Sequence, residues 1–216
     1  MQQNSISSFL KQVTRRLSLG ICSLVLLVLL VACGGSTPSG GTNGTASTAP
    51  AGGPTPTPTP SIAMTGATAT TYSITYPQTW KKTGAGDNVT FQDAPTSGNN
   101  LSIVVTPNPN GVASADKLAD ATVLAFGKTL TNSKVVTISA TITINGVTWS
   151  QRAITGTTKV GVQNVLVKAI LLVATHPASS SNTQAYEIIY GGPEFTFDLV
   201  NAVDFQPMLN SFKFTA

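Results

Sequence analysis

Val165-Leu166-Val167-Lys168-Ala169-Ile170-Leu171-Leu172-Val173-Ala174-Thr175 is the stretch on which the fold turns. Val165, Val167, Ala169, Leu171 and Val173 occupy one set of alternate positions, and Leu166, Ile170 and Leu172 the other. Side chains of a strand alternate between two faces, so a strand apolar at both sets is central in its sheet and covered on both sides. The covering layers must come from elsewhere in the chain, and the flanking segments supply candidates for them.

Downstream, His176-Pro177 and a Ser/Asn loop lead into Tyr186–Tyr190 (YEIIY), a second strand, which Gly191-Gly192-Pro193 is expected to end. Upstream, Ile142-Thr143-Ile144-Asn145-Gly146-Val147-Thr148-Trp149 predicts a hairpin. Asn-Gly accepts positive φ at both corners of a type I′ turn, and in that register Ile144 faces Val147 and Ile142 faces Trp149. Tyr72, Ile74 and Tyr76 alternate until Pro77; Trp80 opens another short strand, Val89–Gln92 returns from a Gly84–Asn88 turn, and Leu101–Thr106 follows. Ser114 is placed to cap an amphipathic helix of about 15 residues, with Asp116 in its first turn and Leu118, Ala125, Phe126 and Leu130 as its apolar stripe. Phe197 to Asn210 predicts a C-terminal helix, with Pro207 in the first turn of its last segment and Phe205, Met208, Leu209 and Phe212 toward the sheet. Phe212-Lys213-Phe214 closes as a short strand. Short turns between consecutive strands imply antiparallel pairing, and two helices far apart in sequence imply a layer on each face. The expected class is α+β, an antiparallel β-sheet flanked by helices.

Tyr76-Pro77-Gln78-Thr79-Trp80 and Leu209-Asn210-Ser211-Phe212-Lys213-Phe214, with the element order between them, resemble the PsbP/Mog1-type α/β/α sandwich over about residues 70–216. The resemblance implies that fold. It also implies kinship with extrinsic subunits of the photosystem II oxygen-evolving complex, with relatives that bind other proteins, and with bacterial lipoproteins. Its motifs are packing residues and assign no functional residue to this chain.

The N-terminus addresses the protein. Lys11, Arg15 and Arg16 form a positive region ahead of Leu17–Leu30, an uncharged run of 14 residues. That suits a signal peptide and falls short of the ~20 residues that span a bilayer. Leu30-Val31-Ala32-Cys33-Gly34 resembles the bacterial lipobox. The resemblance implies cleavage between Ala32 and Cys33, diacylglyceryl on the Cys33 sulfur, acylation of the new amino group, and a lipid anchor on the extracytoplasmic face of the cell membrane. A plain membrane anchor with a chance cysteine is the other reading. Thr14-Arg15-Arg16 leaves export open between the general and twin-arginine routes. Cys22 leaves with the signal peptide, so Cys33 is the only mature cysteine and no internal disulfide or thiolate metal site is possible. The expected organisation is signal peptide 1–32, lipidated Cys33 and a Gly/Ser/Thr/Pro-rich linker 33–61, and one domain 62–216. Pro54-Thr55-Pro56-Thr57-Pro58-Thr59-Pro60 stiffens the end of a tether that reaches on the order of 85 Å at most.

Charge excludes a polyanion as ligand. The chain carries +4, but beyond Cys33 nine basic residues face eight acidic ones, a net of +1. Such a body has no field to steer nucleic acid. Catalytic arrangements are equally scarce. His176 could pair with Glu187 on a metal, against the plainer reading of a histidine at a strand's solvent edge. Ser179, Ser180 and Ser181 lack a nucleophile elbow. Asp116 and Asp120 share a helix face as solvated carboxylates, Trp80 and Trp149 are core aromatics, and Lys81-Lys82 is a surface pair. Gly-rich segments lack the Lys-Ser/Thr of a phosphate loop, and no calcium loop is present. The expectation is a tethered, non-enzymatic binding or scaffold domain without cofactor or metal, its partner a protein or peptide. The contact surface is expected at a sheet edge or at the loops around Gly111 and Ser179, where backbone groups are left free.

Overall fold

The computed structural model describes residues 62–160 and 162–215. The signal peptide, the Ala32/Cys33 cleavage and lipidation site and the linker lie outside the described residues.

Eleven strands are present among the described residues: β1 Met64–Thr68, β2 Tyr72–Pro77, β3 Lys81–Ala85, β4 Asn88–Gln92, β5 Asn100–Pro107, β6 Thr131–Val136, β7 Thr141–Ile144, β8 Val147–Val160, β9 Gln163–His176, β10 Gln184–Pro193 and β11 Lys213–Phe214. Helix α1 spans Ala115–Gly127; α2 (Glu194–Val200), a π-helical turn (Asn201–Phe205) and α3 (Gln206–Ser211) run on without a break. Eight strands form one antiparallel sheet in the order β3-β4-β5-β10-β9-β8-β6, with β7 also on β8; the other three form a small sheet, β1-β2-β11. The architecture is α+β and mostly antiparallel strand.

Strand β9 is central, between β8 and β10, as its two apolar faces require. On one face Ala169, Leu171 and Val173 meet Leu118, Ala119 and Val123 of α1. On the other, Leu172 and Ala174 join the main core, which Tyr72 and Ile74 of the small sheet close together with Phe197, Phe205, Met208, Leu209 and Phe212. Each Val, Leu, Ile, Phe or Met side chain so removed from water contributes roughly 1.5–3 kcal/mol, and this double burial is what holds a domain without disulfides.

The second face is therefore covered by a three-stranded sheet together with the C-terminal helical segment. Strands β2 and β3 do not pair, although they are consecutive: after Pro77 the Trp80 N–H turns back onto the Pro77 carbonyl (2.9 Å) and the chain changes sheets. The turn seats the Trp80 ring edge-on against Phe205 at 5.6 Å. The Gly-Gly pair does not end β10 either. Gly191 stays in register with Ala169 and Asn100, because a Cβ there would meet the Lys168 carbonyl at 2.9 Å. The Ser114 hydroxyl caps α1 as expected (3.4 Å from Lys117 N), but the buried stripe is Leu118, Ala119, Thr122, Val123 and Gly127, rotated from the expected one. The hairpin follows its expected register: Ile144 opposite Val147, Ile142 opposite Trp149, with φ of 47° and 80° at Asn145 and Gly146.

Candidate functional site

The C-terminal strand is sewn to β2 by every second residue. Ser211 Oγ accepts the Thr75 N–H at 2.8 Å, Lys213 lies opposite Ser73, and the Thr215 N–H donates to the Thr71 carbonyl at 3.0 Å. Antiparallel ladders alternate bonded and non-bonded pairs. Residues 212 and 214 therefore turn their main-chain groups away from β2, toward the free edge. The Phe212 N–H is used by Leu209 (3.1 Å), and its carbonyl accepts Asn145 Nδ2 at 2.6 Å. Phe214 sits opposite Tyr72 in the next non-bonded pair, and β11 has no strand on its other side among the described residues.

This edge borders an open cleft of about 470 Å³ between β11 and the β7–β8 hairpin, lined by Ile144, Asn145, Val147, Phe212, Lys213 and Phe214. Asn145 holds the walls at a fixed distance, because its amide also donates to the Asn210 carbonyl at 2.9 Å. Beneath the cleft the Phe214 ring stacks parallel on His176 (centroids 4.1 Å) and Trp149 (5.9 Å) and meets Tyr186 edge-on at 4.7 Å; Phe212 stacks on Tyr72 at 5.2 Å. Burial, and for both the nearby Asp87, raises the Tyr72 and Tyr186 hydroxyls above their ordinary range, with a Thr71 hydrogen bond partly opposing it at Tyr186, so both stay neutral. The site offers apolar walls, one ammonium and unused main-chain groups.

His176 and Glu187 do not come together. In the β9–β10 register Glu187 is opposite Val173 and His176 opposite Gln184, an odd offset that sends their side chains to opposite faces. His176 lies under Phe214, while Glu187 is buried beneath α1, where Thr122 Oγ1 donates to Oε2 at 3.0 Å and Oε1 has no partner. Burial, partly offset by that hydrogen bond, pushes the Glu187 carboxyl up to about 7. No cluster of three or more His, Cys, Asp or Glu that could hold a metal occurs among the described residues.

The loops around Gly111 and Ser179 do not leave their backbone free. Asn110 N–H bonds the Ser180 carbonyl at 2.7 Å, Asn108 N–H bonds the Thr183 carbonyl at 2.9 Å, and the buried Thr183 hydroxyl accepts the Ser180 N–H and donates to the Pro177 carbonyl. Short polar residues here tie one loop to the other. Asp116 and Asp120 remain mostly exposed but share Arg152 of β8, at 2.6 and 2.7 Å. Trp80 and Trp149 are core residues, 5% and 0% exposed, and Lys81-Lys82 lies on the exposed edge strand β3. The expectation of a sheet edge reaches β11 only in general terms. The visible signal was Ser211-Phe212-Lys213-Phe214, an alternation of sewn and outward positions. Asn145, read only as a turn residue, was the missed contributor.

A two-layered core, a tail strand returning to the first hairpin and an aromatic cluster under that tail define a class of β-rich α+β domains. The PsbP family model matches residues 67–214, and the chain belongs to that family. Among solved structures, a protein of Bacteroides thetaiotaomicron VPI-5482 is 12% identical over 67% of this chain with a TM-score of 0.42; this chain covers 45% of its length. LpqN of Mycobacterium tuberculosis, described as involved in cell envelope biogenesis, is 12% identical over 67% of this chain and 83% of its own, with a TM-score of 0.46. No curated protein matches the sequence. No helix among the described residues is long and apolar enough to cross a membrane.

Proposed function

We propose that the protein is an extracytoplasmic lipoprotein, anchored in the cell membrane through diacylglyceryl on Cys33, whose PsbP-family domain is a non-enzymatic binding module for a protein or peptide. The domain is read as the PsbP/Mog1 sandwich, with the C-terminal helical segment as its second helical layer. The reading rests on the open apolar cleft beside β11, which pairs binding surface with an absence of convergent acid–base groups. The tether supports it. A diffusible substrate gains little from a tethered enzyme, whereas a spacer of this length sets the effective concentration of a domain toward a partner held away from the membrane. Family membership favours a second reading, an extrinsic or assembly role at photosystem II. Reaction-centre genes in the same genome are its minimum requirement.

Cross-linking in whole cells followed by mass spectrometry tests the binding reading. A protein partner captured through the domain is the expected result. Capture of self-contacts alone, together with turnover of a substrate by the purified protein, would replace it with an enzymatic one.

A further inference from the structure

We infer that β11 is an acceptor edge: it binds an extended segment of a partner protein by strand addition at Phe214, with apolar side chains of that segment seated in the cleft and an acidic one against Lys213. The inference rests on the binding reading above and names the chemistry of its partner.

Main-chain direction is the first argument. The bonds at 211 and 215 fix the parity of the strand, and that parity aims both Phe214 groups outward. A donor and an acceptor on one residue, side by side along an edge, match the main chain of one extended residue of a partner. The second argument is the wall. Ile144 and Val147, cross-strand neighbours on the apolar face of the hairpin, line the same cleft as Phe212 and Phe214. A strand laid beside β11 projects alternate side chains into that space. The third argument is charge. Lys213 is exposed and forms no ion pair among the described residues, and the other lining residues carry no charge. An acidic residue on the incoming segment complements the cleft. Phe214 itself is held by stacking on His176 and Trp149, so the acceptor strand is ordered before anything binds.

The test uses the whole chain purified from membranes in detergent and a synthetic eight-residue peptide alternating valine and threonine, with one central glutamate. Its controls are the same peptide with proline at the centre and the same peptide with lysine for glutamate. Expected results are saturable binding, at least tenfold slower hydrogen exchange at the Phe214 amide, and loss of both with the proline peptide. Lys213→Glu should weaken the glutamate peptide about tenfold and favour the lysine peptide, and Val147→Asp should abolish binding while the far-ultraviolet spectrum is kept. Binding without protection of the Phe214 amide, equal binding of the proline peptide, or self-association through β11 would each overturn the inference. A partner cross-linked in cells through another surface would overturn it too and leave the binding reading standing. Peptide capture at β11 with no protein partner in cells would leave the edge intact and sink the binding reading.

Discussion

Replacing Glu187 by glutamine should flatten the pH dependence of stability and stabilise the domain at neutral and alkaline pH. The side chain is 1% exposed, between α1 and the sheet, with one carboxylate oxygen on Thr122 and the other unpartnered. Burial raises the carboxyl from 4.5 to about 7. In the unfolded chain the group loses its proton near 4.5, and in the folded protein only near 7. Between those values the folded state holds more proton than the unfolded one, so stability falls as pH rises. Below the window the carboxyl is neutral in both states and costs nothing. Above it the full cost of a buried carboxylate is present. At about 1.4 kcal/mol per pH unit, the cost comes to about 3 kcal/mol. Glutamine keeps the shape and the acceptor for Thr122 and carries no charge. Urea melts of both proteins at half-unit steps from pH 4 to 9 give the difference directly. It should be near zero at the acid end and reach about 3 kcal/mol in favour of glutamine by pH 8. Asp204, which burial and Asp93 also raise, titrates in both proteins and cancels in that difference. Parallel curves at a constant offset would refute the reasoning, because they would mean that the Glu187 charge is solvated or never forms.

Other perturbations separate the remaining claims. Cys33→Ser should yield a protein that lacks the lipid mass and either leaves the membrane fraction or keeps its signal peptide; identical mass and fractionation would remove the anchor. Residues 62–216 alone should fold, with a thermal midpoint unmoved by reductant or chelator, since the segment contains no cysteine; a midpoint that collapses with chelator would restore His176 as a ligand. Arg152→Ala breaks both contacts to Asp116 and Asp120, whose side chains are 65% and 58% exposed, so the loss should stay within about 1 kcal/mol and shrink in high salt.

The parts of the fold that were readable are those where pattern and burial coincide. Strand β9 announced its position because both faces are apolar, and the Asn145-Gly146 corner fixed its hairpin because only such residues adopt positive φ readily. Strand β6 was invisible. Its residues are almost all exposed, its register shifts between Thr131 and Lys134, and no period marks it. Strand β1 carries too little apolar pattern to read and is held by its antiparallel pairing with β2, on the side away from β11. Gly191-Gly192 looked like punctuation, yet the strand continues there because glycine alone fits between Lys168 and Asn99. The stripe of α1 was misplaced because Thr122 counts as polar in a pattern but is buried against Glu187. The site was harder still. A pairing between residues 136 apart in sequence leaves no local trace, so the parity that aims Phe214 outward belongs to the tertiary structure.

Sheet edges are ordinarily blunted, and the free edges here differ in how that is done. Strand β3 is exposed along its whole length and carries Lys81 and Lys82, so an incoming strand would find charge and no apolar wall. Strand β6 carries Lys134 and a residue of positive φ, Asn132, beside its register shift, which spoils the straight ladder that pairing requires. Strand β11 has the first defence in part, being two residues long with Lys213 at its head. Its surroundings work the other way. Hydrogen bonds from Asn145 keep the hairpin tip at the Phe212 end of the edge and leave an apolar cleft beside Phe214. A purely protective design would close that gap with a side chain or twist the strand away. Here the same aromatic rings that anchor the strand in the core hold its outward groups in line. Core packing and the proposed acceptor edge are thus two sides of one alternating segment, and a substitution that loosens Phe214 from Trp149 and His176 should lower both the thermal midpoint and the affinity for the alternating peptide.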